Sequence, residues 1–249
     1  RHVNLRFDQP GYLRVPLVSL ELLRTILSLP KGTELCLQYP VTKLLFKWHW
    51  LLKKRCVRLT AVVHDIESVR YTGKLSQEER EQLSCFDSII AHTPAMQELL
   101  ISSGISADRI RLLQLFDYLA TPPSPSPLNY QESTPREVCF AGNLGKSELS
   151  EELQFKGKFA PDDLTLLRGH YGLVWDGDSI TTCTGRIGEY LKINAPHKAS
   201  LYIAAGIPLI VWRHSAIAPY VLEHQLGIAV DSLLELPERL ASIDVAQYT

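Results

Sequence analysis

The sequence predicts an α/β protein built as two parallel-sheet halves. Short runs rich in β-branched residues alternate with helix-like stretches, the pattern of a parallel sheet with crossover connections. One segment, "ATPPSPSPLNYQESTPRE" (120–137), carries five prolines and few apolar residues, so it builds no core. Beyond it the alternation resumes. We therefore read 1–119 and 138–249 as two domains and 120–137 as a hinge, a division for which 249 residues suffice.

In the first half the strands are "ELCLQY" (34–39), "VRLTAVVHD" (57–65), "SIIAHT" (88–93) and "IRLLQL" (110–115). The helices between them cover 41–55, 76–86 and 94–104, the last with Thr93 as cap, Pro94 in the first turn and Gly104 as stop. Within 41–55, Leu44, Leu45, Trp48, Leu51 and Leu52 form one helical stripe, and Lys43, Lys47 and Lys54 lie off it. Core packing is the first account of that stripe. Peripheral contact with an anionic membrane is the rival, because tryptophan and lysine suit that interface.

In the second half we read strands in 138–142, 153–157, 171–177, 207–212 and 227–231, with helices in 160–169, 216–226 and 233–243. A further helix starts within "NAPHKASLYIAAG" (194–206), with Asn194 or Ala195 as cap and Pro196 in the first turn. Only "GKSELSEE" (145–152) separates "FAGNL" from "LQFKG", short of the dozen residues that a crossover needs. Either this domain is trimmed there or a loop is absent from the sequence.

Charge excludes one class of partner. The chain has 26 Lys and Arg against 27 Asp and Glu, so no global basic field speaks for nucleic acid. Five scattered cysteines, never in a Cys-x-x-Cys pair, point to a reducing compartment and no structural metal. With no apolar run near the ~20 residues of a spanning helix and no signal-peptide pattern, a cytoplasmic protein is expected. The sequence opens at Arg1, not at a methionine, so the lack of a signal pattern weighs less than usual.

Ligands of open parallel sheets sit beyond the carboxyl ends of strands, which makes a cleft between the halves the expected site. The helix start at 195–198 adds free N–H groups, the helix dipole and the Lys198 ammonium, a combination suited to a phosphate. "FAGNLGK" (140–146) is a strand ending in a small-residue turn, with Asn143 on it and Lys146 able to meet phosphate oxygen. "FKGKF" (155–159) sets Lys156 and Lys158 around Gly157, followed by Phe159. Three basic strand-end turns suggest a diphosphate. Asp176 and Asp178 in "VWDGDS" suit sugar hydroxyls, an acidic turn, or, as a minor option, a Mg²⁺ ion. His64 and Asp65 close a buried strand in the first half, where an imidazole or carboxylate can take a proton from a hydroxyl. A structural His–Asp pair is the alternative, with Glu67 and Asp117 in reserve.

The stretch "GLVWDGDS…YLKINAPHKASLYIAAGIPLIVWRHSAIAPYVLEHQLGIAVDSLLEL" resembles the second domain of bacterial β-1,6-galactofuranosyltransferase-like proteins, which are similar to the streptococcal adhesin glucosyltransferases. "VVHDIESVR" and "FAGNL" are similar to other marks of that family, and the resemblance covers about 61–231. It implies a GT-B arrangement: two Rossmann-like domains facing across a cleft, the second holding a UDP-sugar and the first an acceptor. Under it, Lys146 matches the phosphate-facing turn, 156–159 a segment near the nucleotide, and Asn194, Ala195, Pro196, His197 and Lys198 the block gripping ribose and diphosphate. His64 and Asp65 match the family's acceptor-side pair.

The sequence departs from the family in lacking a glycine-rich first strand-turn, the long crossover after "FAGNL" and the final returning helix. It also lacks a Glu-x7-Glu pair, which favours inversion. The expected activity is transfer of a hexose, galactofuranose first, from a UDP-sugar to a saccharide acceptor in bacterial surface-polysaccharide assembly, with a lipid-linked acceptor and a place at the inner face of the membrane allowed. No cofactor or metal is expected, and a homo-oligomer is allowed. UDP-glucose, UDP-N-acetylglucosamine, a non-catalytic nucleotide-sugar module and an epimerase stand as alternatives.

Overall fold

Strands form where the β-branched runs fall, and they pair in the order of the chain. The computed structural model describes residues 11–117, 137–142, 164, 167 and 169–243. In the first half β1 (Thr33–Tyr39), β2 (Cys56–Val63), β3 (Ser88–Ala91) and β4 (Ile110–Leu112) make one parallel sheet ordered β1-β2-β3-β4. In the second, β5 (Val138–Cys139), β6 (Tyr171–Val174), β7 (Leu209–Trp212) and β8 (Gly227–Val230) make another, again in chain order. The α/β class and the two parallel sheets stand as expected. The predicted hinge, the strand at 153–157 and nearly all of the helix at 160–169 lie outside the described residues.

Helix α1 (Gly11–Ser28) precedes the first sheet and was not foreseen. Its Leu22 and Ile26 are buried in the first core. The segment 41–55 is two helices, α2 (Leu44–Lys47) and α3 (His49–Arg55), where one was expected. The break lies at Trp48 (φ −105°, ψ 9°), whose indole N–H reaches Ser19 on α1 at 3.4 Å. Leu45 and Leu52 are buried, and Leu44, Trp48 and Leu51 pack against the same core, so the stripe serves the interior. Trp50 stays exposed with the Lys54 ammonium 4.9 Å above its ring.

Helix α4 (Glu67–Thr72) follows β2, and α5 (Gln77–Ser84) starts at its Ser76 cap. Helix α6 (Pro94–Ser102) has the Thr93 hydroxyl accepting from the Met96 N–H at 3.1 Å, and Gly104 (φ +92°) stops it as expected. The second half continues with α7 (Gly185–Tyr190), α8 (His197–Ala204), α9 (Ala218–Glu223) and α10 (Leu236–Ser242). Among the described residues no helix is long and apolar enough to cross a membrane.

The central strands of the second sheet are buried on both faces, as a strand covered by helices on each side must be. Val174, Leu209 and Val211 enter one core with Tyr202. Their neighbours Tyr171, Leu173, Trp175, Ile210 and Trp212 enter the other. Gly172 allows the close approach of helix to sheet, because a Cβ there would lie 2.3 Å from the ring of the fully buried Tyr202. Gly172→Ala is therefore expected to cost about 1–3 kcal/mol by overpacking. A lowered thermal midpoint checks it; an unchanged one would show that the helix shifts freely.

Candidate active site

Parallel strands deliver their last residues to one edge of the sheet, and here that edge collects aromatic rings. Val62 pairs with Ile90, so two residues on His64 and His92 leave the sheet side by side. Ala91 pairs with Leu112, and four residues past β4 the chain reaches Phe116. The Phe116 ring stacks on His64 at 4.5 Å with 4° between planes, and His92 meets its edge at 4.2 Å.

The second half completes the cluster through α8. The Nε2 atom of His197 lies 2.9 Å from Nδ1 of His64, although 133 residues separate them, and the His197 ring also stacks on Phe116 at 4.6 Å. Two imidazoles thus lie side by side against one phenyl ring. Only one of the two facing nitrogens carries the shared hydrogen, so one ring donates and the other accepts. Burial, and then the proximity of His197, holds His64 below the ordinary imidazole value, with Asp65 opposing. Burial lowers His197 too, against the same carboxylate. His92, wholly buried, is pushed down to about 4 by burial and by the neighbouring His64, against the Val63 carbonyl. All three rings are thereby kept neutral near pH 7.

Asp65 is bound by the Arg70 guanidinium at 3.1 Å, so His64 and Asp65 adjoin in sequence without forming a joined pair. The first turn of α4 is closed by protein groups. Its Ile66 N–H donates to the Tyr190 hydroxyl at 2.7 Å, and the Glu67 and Ser68 N–H groups donate to the Glu79 carboxylate at 3.1 and 2.7 Å. Glu67 and Asp117 are exposed.

At α8 the expectation needs a correction. Neither Asn194 nor Ala195 is the cap: Pro196, extended at ψ 136°, holds that position, and His197 is the first helical residue. The shift lies in the ψ of Pro196: its φ of −63° would fit a first helical residue, but its extended ψ leaves it outside the helix, which starts one residue later. Ala195 is buried in the core, while the side-chain oxygen of Asn194 is buried with no partner among the described residues. The N–H groups of His197 and Lys198 likewise meet no acceptor among the described residues.

Lys198 is nine-tenths buried, pairs with the Asp176 carboxylate and sits 4.5 Å from the Phe140 ring at the end of β5. The two residues assigned separately to phosphate and to hydroxyls therefore hold each other. Asp178 is exposed and accepts from the Thr184 hydroxyl at 2.8 Å, the bracing of an acidic turn. Asn143, Lys146, Lys156, Gly157, Lys158 and Phe159 lie outside the described residues. Sequence reasoning missed His92, Phe116 and Tyr190. Aligning the strand ends "VVHD" and "IIAHT" would have placed the first beside His64; nothing local marks the other two.

Comparison with known proteins finds a match for each half of the chain. The glucosyltransferase 3-like N-terminal domain matches residues 18–115 and the glucosyltransferase 3-like C-terminal domain matches residues 121–249. The β-1,6-galactofuranosyltransferase WbbI of Escherichia coli K12 is 30% identical over 279 residues, covering 97% of this chain and 81% of the relative. Glucosyltransferase 3 of Streptococcus gordonii is 24% identical, over 79% of this chain and 64% of its own length. Glucosyltransferase 3 of Streptococcus parasanguinis is 21% identical, over 79% and 63%. The chain spans less than two thirds of the length of either streptococcal relative. With both domain types matched in order, the chain belongs to the glucosyltransferase 3-like family of glycosyltransferases.

Proposed function

We propose that this protein transfers a hexose, galactofuranose first among the candidates, from a UDP-sugar to a saccharide acceptor hydroxyl with inversion, in assembly of a bacterial surface polysaccharide. The observation that carries the reading is the His64–His197 contact, which sets the strand ends of one half against the first turn of α8 in the other. In the proposed GT-B arrangement the donor lies at that turn and the acceptor at the strand ends. The name of the Escherichia coli relative favours galactofuranose, and those of the streptococcal relatives favour glucose as the second sugar.

The UDP diphosphate takes the open N–H groups of His197 and Lys198 and the Lys198 ammonium, with Lys146 and residues 156–159 proposed beside it. Asp176 holds Lys198 in place, and the Asn194 oxygen, without a partner among the described residues, is available to a ribose hydroxyl. These donors face the oxygen on which negative charge develops as UDP leaves, where electrostatic help counts most. A proton-accepting group at the His64–His197 contact serves the acceptor. We further propose a cytoplasmic protein at the inner membrane face, where Trp50, Lys54 and the exposed Val57 suit contact with an anionic surface beside a lipid-linked acceptor.

Calorimetric titration with UDP and ADP, with and without EDTA, tests the donor site. Micromolar UDP binding that exceeds ADP binding and ignores EDTA is expected. Lys198→Ala should weaken it by about 10- to 100-fold, roughly 1.4–2.8 kcal/mol. Absence of binding by the unaltered protein would overturn the proposal.

A further inference from the structure

We propose that His197, not His64, is the ring that accepts the acceptor's proton, and that His64 positions it. This rests on the transferase reading above. The argument is an accounting of nitrogens. Nδ1 of His64 is engaged with His197, and its Nε2 is buried with no partner among the described residues. His64 thus offers no open nitrogen to a substrate hydroxyl. Asp65, the other expected base, is held by Arg70.

His197 is covered where its ring stacks on His64 and Phe116 but exposed elsewhere; it spends Nε2 on His64, while its Nδ1 has no hydrogen bond to any described residue. If its Nε2–H donates to Nδ1 of His64, a lone pair remains on Nδ1 of His197. His64 is then the acceptor that fixes the tautomer of the base and supports the imidazolium as it forms, the part played by the third member of a nucleophile–base–orienter set. Phe116 fixes the ring plane. The charged and titratable groups around the pair are Asp65 after β2, His92 after β3, and Lys198 with its partner Asp176 on the donor side. The partial positive charge of the α8 start also disfavours a resting imidazolium.

In the transfer step the acceptor O–H proton passes to Nδ1 of His197. The acceptor oxygen forms the new bond to the anomeric carbon, and the bond from that carbon to the UDP β-phosphate oxygen breaks, its electron pair leaving with UDP beside Lys198.

The test compares the unaltered protein with His197→Gln, His64→Ala, His64→Asn and Lys198→Ala. UDP affinity is read by titration, and transfer from a UDP-hexose to an alkyl glycoside is read across pH. His197→Gln should keep UDP affinity within about twofold and lose about 10²–10⁴-fold in transfer, the usual worth of a general base. His64→Ala should lose at least tenfold in transfer and displace the acid limb of the pH profile. His64→Asn, whose side-chain oxygen can accept from Nε2–H, should recover most of both. Imidazole ¹⁵N spectra should show Nδ1 of His197 unprotonated at neutral pH. Near-normal transfer by His197→Gln, UDP loss matching Lys198→Ala, or a protonated Nδ1 would each overturn the assignment. Failure of the unaltered protein to bind UDP would instead overturn the donor reading, with the spectra still reporting the tautomer.

Discussion

Tyr190→Ala is expected to lower stability by about 3–5 kcal/mol, the cost of emptying a large buried site, and to split one unfolding transition into two. The residue belongs to α7 of the second half, yet it is 3% exposed within the core of the first. Its hydroxyl accepts the Ile66 N–H that opens α4, and the Arg70 guanidinium lies 6.0 Å from its ring. Removing the ring takes packing from one half and the closing contact from the other. Tyr190→Phe keeps the ring but leaves that buried N–H without its acceptor, at about 1–3 kcal/mol. Differential scanning calorimetry separates the outcomes. A single transition at the unaltered midpoint for Tyr190→Ala would show that the halves are joined elsewhere.

Acid should destabilise the fold from near pH 6.5 downward, and His92 should account for about 3 kcal/mol of the loss. The sign follows from the proton count. Above pH 6.5 neither the folded nor the unfolded chain holds a proton on this ring, so it contributes nothing. Between 6.5 and about 4 the unfolded chain binds one and the folded chain does not, so stability falls with pH until the folded ring also titrates. His64 and His197 are shifted in the same direction and steepen the slope. Urea unfolding of the unaltered protein and of His92→Leu, from pH 7.5 to 4.5, checks this. The variant should show the flatter dependence; parallel curves would mean that the ring is solvated.

What the sequence made legible were features written locally. Thr93, Pro94 and Gly104 mark both ends of α6, and the β-branched runs mark the strands. Helices fixed by packing were not legible. Six residues, "GRIGEY", carry two glycines and little intrinsic helix preference, yet form α7 because Tyr190 is buried in the opposite half. The segment 41–55 has one apolar period, but the inward turn of Trp48 toward Ser19 divides it. The candidate site divides in the same way. His64 and the α8 start stand out as strand-end and helix-start features, whereas their hydrogen bond joins residues 133 apart and is a property of how the sheets meet. The Lys198–Asp176 pair was hidden because each residue, read alone, suited a ligand.

Phe116 belongs to the first half by sequence and to the junction by packing, since its ring lies against His64 and His197 alike. A cut made to express the halves separately therefore has to fall beyond Asp117. A first half ending at Leu115 would keep its four strands and lose the surface against which the two imidazoles align. Recombined halves of that kind could recover nucleotide binding at α8 without recovering the proton-accepting geometry, which makes the choice of breakpoint a way to separate the two activities in one molecule.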